Sequence, residues 1–254
     1  MPGESSVLVV IPTYQEAANI DLVLSAIRTS EPSANVLVVD DNSPDGTAGI
    51  AEKTAKRLGM IQVLRRPGKS GLGSAYREGF AWGLRNGFDV MVEMDADLSH
   101  DPAALPSLLK ALDDGADLVV GSRYVPGGAI PGWPAHRALL SRYGNRYATA
   151  ALGLGIRDAT SGYRAYKAEI LRRFPLHKVK ADGYGFQIEM VHLVKRAGGV
   201  IKEVPITFVD RVDGVSKMST PIIIEAMVLV TFWGLRYRLL QAVGRPFLRL
   251  LGKA

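Results

Sequence analysis

A doubly wound α/β fold with a mostly parallel sheet is what this sequence predicts, and three observations predict it. Short apolar, β-branched runs alternate with amphipathic helical stretches between residues 5 and 121. Three of those runs stop abruptly in loops rich in Asp, Asn, Ser, Pro and Gly, at 12–16, 40–45 and 95–99. The chain has 254 residues, 47% hydrophobic and 22% charged, enough for one substantial core.

The first strand is expected at 5–11, ending at Pro12, which cannot donate to a ladder. A helix at 17–29 carries Ile20, Val23, Leu24 and Ile27 at helical spacing. A buried strand at 35–39 leads into the turn-rich loop from Asp40 to Gly46 and a helix to about Leu58. A short strand at 61–64 follows. The glycine-rich segment 68–73 lacks the upstream glycine of a phosphate loop, since Val63 stands there, so it reads as a flexible loop entering a helix at 74–85. The fourth strand, 90–94, precedes a helix at 102–112, and a fifth strand lies at 116–121. A helix at 135–152 carries Arg137, Arg142 and Arg146 among Leu139, Leu140 and Tyr143. It either lies on a membrane surface or packs on the sheet with its arginines in water. A helix opens near Asp182, a late strand is expected at 201–209, the stretch 222–235 is apolar, and the stretch 239–251 alternates leucines with arginines.

The chain has no cysteine, hence no disulfide framework and no thiolate metal site. Its formal charge is +6. After Glu225 no acidic residue occurs, whereas Arg236, Arg238, Arg245, Arg249 and Lys253 do. The apolar stretch 222–235 contains Glu225 and is shorter than the about 20 residues that span a bilayer, so interfacial attachment is the expectation. The N-terminus shows no basic segment followed by an apolar one, so no signal peptide is expected.

The chemistry centres on Asp95-Ala96-Asp97-Leu98-Ser99-His100. Two carboxylates at i, i+2 beyond a buried parallel strand sit where an open α/β sheet gathers its ligands. Side by side they repel, and a hard divalent cation that also holds substrate phosphates relieves the repulsion. The other open reading is a solvated acidic turn capping the next helix, because Asp101-Pro102 has the form of a helix start. Asp41, by position, can accept hydrogen bonds from a ribose or base. An N-capping turn accounts for 40–45 equally directly.

Taken together, Pro12-Thr13-Tyr14-Gln15-Glu16, the run Val38 to Thr47, Gly71 to Tyr76, Asp95 to His100, Gly121-Ser122-Arg123-Tyr124, Asp158 to Arg164 and Arg211 to Ser219 resemble the polyprenyl-phosphate mannose synthases, inverting glycosyltransferases of the GT-A fold. The resemblance covers roughly residues 6–235 in order and spacing. It implies that Pro12, Tyr14 and Glu16 line a nucleotide pocket, with Val39 and Asp41 against guanine and ribose. Asp95 and Asp97 would hold Mg2+ or Mn2+ on the diphosphate, with the Ala96 backbone beside the nucleotide. Arg123, Arg211 and Lys217 would contact phosphates, with Asp97 and Arg123 central to catalysis. Many relatives carry Gln where Ser99 stands; the shorter Ser either completes the metal shell or leaves its place to water. The implied reaction is transfer of mannose from GDP-mannose to a polyprenyl phosphate, which is already an anion and attacks without a dedicated base. The expected partners are a membrane surface on the cytoplasmic side, an integral membrane protein in addition, and no nucleic acid. Residues 1–220 would form the catalytic domain and 221–254 membrane-proximal amphipathic helices. A UDP-glucose-dependent polyprenyl-phosphate glucosyltransferase and a non-catalytic nucleotide-sugar-binding protein are the competing functions.

Overall fold

In a computed structural model that describes residues 5–210 and 226–236, the described residues form seven strands and eight α-helices, the last at 226–236, in βα alternation up to β5. The order is β1 (Val7–Thr13), α1 (Ile20–Ser30), β2 (Asn35–Asp40), α2 (Thr47–Leu58), β3 (Ile61–Arg65), α3 (Leu72–Arg85), β4 (Val90–Glu93), α4 (Leu105–Asp113) and β5 (Leu118–Ser122). Then come α5 (Ala135–Leu152), β6 (Arg164–Lys167), α6 (Ala168–Arg172), α7 (Gly183–Arg196) and β7 (Ile201–Pro205). All strands join one sheet in the order β3-β2-β1-β4-β6-β5-β7.

Most of this follows from the strands' composition. Alternate residues of β1 and β2 enter opposite layers, and both layers are apolar. Leu8, Val10, Leu37 and Val39 face α3 and α7, whereas Val9, Ile11, Val36 and Val38 face α1 and α4. Helix α3 sits unusually close to β1. A Cβ on Gly79 would stand 2.4 Å from Val10 Cγ1, and one on Gly83 2.8 Å from Leu8 Cδ2. This approach puts Tyr76, on the same helix, under the carboxyl end of the sheet.

Two expectations need correction. β1 runs through Pro12 to Thr13, because β4 pairs with β1 only as far as Val10 and Pro12 has β2 alone beside it. The sheet is mostly parallel, as expected; β6, a strand the sequence did not suggest, runs antiparallel to both β4 and β5 and separates them. Its four residues, Arg-Ala-Tyr-Lys, carry no apolar alternation, yet Arg164 is completely buried because its guanidinium donates to the carbonyls of Ser161, Gln187 and Ala159 at 2.6–2.7 Å. The late strand ends at Pro205; beyond it, Thr207 and Phe208 make only isolated bridges to Ala129 and His100.

Helix α5 buries one face and leaves the other exposed. Asn145, Ala148 and Leu152 are buried, whereas Leu139, Leu140 and Tyr143 lie exposed beside Arg142 and Arg146. The helical residues 226–236 dock on it: Tyr147 and Thr231 share a hydrogen bond of 2.6 Å, and a Cβ on Gly234 would lie 3.0 Å from the Ala151 carbonyl. Among the described residues no helix is long and apolar enough to cross a membrane.

His192 on α7 is 6% exposed, and burial, aided by Arg196, pushes its pKa down to about 4. Its folded value lies below the unfolded one, so the stability it contributes is present above about pH 6.5 and is lost as pH falls towards 4, on the order of 3 kcal/mol. His192→Leu is expected to flatten that acid limb in urea unfolding at pH 7 and pH 4. Equal acid slopes in the two proteins would contradict it.

Candidate active site

The loops after β1, β2 and β4 meet at one edge of the sheet, and hydrogen bonds tie the first two together. The buried Asp40 carboxylate accepts from Thr13 Oγ1 at 2.9 Å, from the Ser43 amide at 2.9 Å and from Ser43 Oγ at 2.6 Å. The Gln15 amide donates to Ser43 Oγ at 3.1 Å, and the Glu16 amide to Thr47 Oγ1 at 2.9 Å. Gln15, Asn42 and Leu98, one in each loop, hold left-handed backbone at φ 61°, 57° and 60°. Such conformations in residues other than Gly concentrate where surrounding contacts hold a site in shape.

The edge divides into two halves. In the first, Asp41 forms a buried ion pair with Arg66 and accepts from the Ser70 amide at 3.2 Å. Arg66 also donates to Glu78 at 2.9 Å and to Ser74 Oγ at 2.5 Å. One guanidinium thus joins the β2 loop to α3. Tyr14 lies half-buried nearby with Lys69 Nζ 4.4 Å above its ring. Pro12 and Glu16 are half-buried at the same edge. Val39 stands apart from them: it is fully buried in the core, so its side chain is not presented to the cleft.

In the second half, Asp95 and Asp97 are aligned by donors from different elements. The buried Tyr76 hydroxyl donates to Asp95 Oδ1 at 3.2 Å. Burial, and after it the charge of Asp95, raises the Tyr76 pKa well above that of a free phenol, so the group stays a donor. The Asp95 amide donates to Nδ1 of His100 at 3.2 Å. Burial depresses the His100 pKa against the pull of Asp95 and Asp97, which favours the neutral acceptor form. The ring stacks on Tyr163 at 5.2 Å and meets Phe208 edge-on at 5.4 Å. Asp97 is 6% exposed and its Oδ1 accepts from the Ser99 amide at 3.1 Å and from Ser99 Oγ at 2.5 Å. The Ser99 proton is therefore directed at Asp97. Ala96 is buried between the two acids.

Arg123, at the end of β5, is turned inward. Nε and Nη2 make a bidentate pair with Asp158, both at 2.7 Å, and Nη2 also donates to Thr160 Oγ1 at 2.8 Å. Burial works against both charges, but each partner more than offsets it, raising the Arg123 pKa and lowering that of Asp158. The ring faces of Tyr124, Trp133 and Phe208 enclose the guanidinium at 5.3–5.8 Å. Asn145 of α5 holds the Asp158 loop in place, accepting from the Ala159 and Thr160 amides at 2.8 and 3.2 Å. Arg211 and Lys217 lie outside the described residues.

Sequence reading thus reached the acids and missed their supports: Arg66, Tyr76, His100 as a holder of Asp95, Asn145 and the partnership of Asp158 with Arg123. Of these Tyr76, His100 and Asp158 lay in segments that carry the resemblance, whereas Arg66 and Asn145 did not, and no local spacing links those two to the residues they hold.

Arg66→Met is expected to remove about 3–5 kcal/mol of unfolding free energy, because it strands Asp41 as a buried charge. The exposed Asp21–Arg57 pair serves as control: Arg57→Met is expected to remove no more than about 1 kcal/mol. Equal losses in denaturant titrations would contradict this account.

Residues 8–174 match the profile of Glycosyl transferase family 2. The chain is 49% identical over 238 residues to the polyprenol monophosphomannose synthase of Mycolicibacterium smegmatis, covering 93% of this chain and 90% of that one. It is 51% identical over 232 residues to the undecaprenyl-phosphate mannosyltransferase of Micrococcus luteus, covering 91% and 95%. Among solved structures, glucosyl-3-phosphoglycerate synthase from Mycobacterium tuberculosis, crystallised with Mn2+, UDP and glucosyl-3-phosphoglycerate, superposes with a TM-score of 0.63 at 23% identity, over 92% of this chain and 80% of that one. That likeness speaks for a GT-A-like fold alone. With about two-thirds of its length in the family match and two relatives near half identical across more than nine-tenths of it, the chain belongs to glycosyl transferase family 2.

Proposed function

We propose that this protein transfers mannose from GDP-mannose to a polyprenyl phosphate with inversion at the anomeric carbon. The observation that carries this reading is the Asp95/Asp97 pair, held by Tyr76, His100 and Ser99 at the sheet edge beside the Asp41 pocket. The two relatives of about half identity, whose names specify mannosyl transfer to polyprenyl phosphates, supply the substrate class.

The donor set suits Mg2+ or Mn2+. Both groups are hard carboxylate oxygens; Asp95 is partly exposed, and donors orient both. Among the described residues no cluster of three or more His, Asp or Glu side chains forms a ready cage. Two protein carboxylates completed by substrate phosphates is how such cations are commonly held. When bound, the cation offsets the charge of the donor diphosphate. Asp95 and Asp97 are its proposed ligands; Ser99 fixes the orientation of Asp97 and stands within the same shell.

Other residues align the substrates. Pro12, Tyr14, Glu16 and Asp41 border the nucleotide, with the Ala96 backbone beside it. Arg123 is kept charged by Asp158 and offers Nη1 to a phosphate, while Arg211 and Lys217 serve the same anions. An oxygen of the lipid phosphate forms the bond to the anomeric carbon as the bond from that carbon to the diphosphate breaks, and GDP departs with the electron pair. The attacking oxygen is already anionic, so the step needs alignment and charge stabilisation rather than a base. An apolar groove lined by Leu140, Tyr147, Ala148, Ile188, Met227 and Val230 begins at Thr160 beside Arg123 and suits an isoprenoid chain. Exposed Leu139, Tyr143, Val228 and Phe232, with Arg142 and Arg146, support peripheral attachment to the cytoplasmic face of a membrane, with 221–254 as the membrane-proximal segment.

Asp97→Ala is expected to reduce transfer of label from GDP-mannose into organic-extractable lipid to background, with circular dichroism and melting temperature unchanged. Chelation should abolish wild-type transfer, and Mg2+ or Mn2+ should restore it. Retained activity in either case would contradict the metal assignment. Excess unlabelled GDP-mannose should suppress labelling and UDP-glucose should not; the reverse result would favour the UDP-sugar alternative.

A further inference from the structure

Gln187, on the second turn of α7, is 3% exposed; its Oε1 has no hydrogen-bond partner among the described residues, and its amide nitrogen, which carries two N–H donors, bears on the buried Glu93 carboxylate and lowers that group's pKa. Burying an amide oxygen unpaired is costly, and such groups call for an explanation. The side chain does not point into a sealed core. The missing side chain of Gly162 leaves a niche beside the acidic loop, and a Cβ placed there would lie 3.7 Å from Gln187 Nε2, 3.7 Å from Asp95 Oδ2 and 3.4 Å from His100 Cε1. Gln187 and the proposed diphosphate anchor thus flank one small opening. Glu93, buried on β4, borders the same region; burial raises its pKa to about 7, and the charge of Arg164, then hydrogen bonding from Gln187 and Tyr166, temper that rise.

We propose that Gln187 is a specificity-determining residue that hydrogen-bonds the donor sugar through the Gly162 niche. The inference rests on the nucleotide-sugar reading of the site. A sugar hangs from the far end of the diphosphate, so an anchor at Asp95 brings it to the niche. An amide offers one donor and one acceptor side by side, which two neighbouring hydroxyls satisfy together and a nucleoside diphosphate does not. A site built to bond a hydroxyl also rejects an analogue that lacks it, because its own buried groups then stay unpaired.

The test compares GDP-mannose with GDP, each with Mg2+, by titration calorimetry on wild type, Gln187→Leu and Gly162→Ala. The alanine Cβ meets its neighbours at ordinary contact distance and fills the niche, so it tests the opening without touching Gln187. Both variants are expected to bind GDP-mannose about 10- to 100-fold more weakly and GDP within about twofold of wild type. Transfer from deoxy-mannose donors should show the same selectivity, with wild type discriminating against one or more of them and Gln187→Leu no longer doing so. If Gln187→Leu does not fold, as judged by its melting curve, Gly162→Ala carries the comparison. Unchanged GDP-mannose affinity in the folded variants, or an equal loss for GDP and GDP-mannose, would overturn the inference and leave the functional reading standing. Failure of wild type to bind either nucleotide would overturn both.

Discussion

Mutual repulsion of negative charge is the constraint on which this site depends. Asp95 and Asp97 lie two residues apart at the end of β4, and the proposed reaction adds a diphosphate and a lipid phosphate to the same edge. Carboxylates so close favour protonation or a cation. The surrounding hydrogen bonds favour the ionised form: Tyr76 donates to one acid, and the amide and hydroxyl of Ser99 donate to the other. These donors form an outer layer that aims the acidic pair proposed to hold the cation.

That layer explains features which would otherwise look like local irregularities. Leu98 adopts left-handed backbone because Ser99 folds back on Asp97. Gly79 and Gly83 let α3 approach β1 closely, which carries Tyr76 to Asp95. Elsewhere the same strategy appears as buried Arg–Asp pairs. Arg66 holds Asp41 and ties the β2 loop to α3, and Arg123 holds Asp158 and ties β5 to the loop before β6. Such pairs contribute little net stability for the charge they bury, but breaking one leaves a stranded ion, so each locks two elements into one arrangement.

How much of this was legible depends on the range of the interaction. β1, β2 and β4 announce themselves because a strand buried on both faces needs a continuous apolar run, and the loops after them show as turn residues. The acidic pair is legible for the same reason: it interrupts an apolar run. β6 was invisible because its burial rests on carbonyl acceptors for Arg164 contributed by residues 159, 161 and 187. Arg66 and Asn145 read as ordinary loop and helix residues, and Tyr76 lay in a marked segment that did not show its role, since each works through partners 14 to 25 positions away. Arg123 was expected to face phosphate, and the bidentate hold of Asp158, 35 positions along the chain, is what its local sequence could not display.

The apolar groove between α5, α7 and the helical residues 226–236 completes the arrangement. It starts at Thr160, so charge-bearing and lipid-compatible surfaces adjoin through one side chain. The central claim, that a cation between Asp95 and Asp97 carries the donor diphosphate, is tested most directly by anomalous diffraction from crystals grown with Mn2+ and GDP-mannose. The account predicts a single strong manganese peak within coordination distance of both carboxylates and of the diphosphate. A diphosphate bound away from that pair, or manganese coordinated by neither acid, would contradict it.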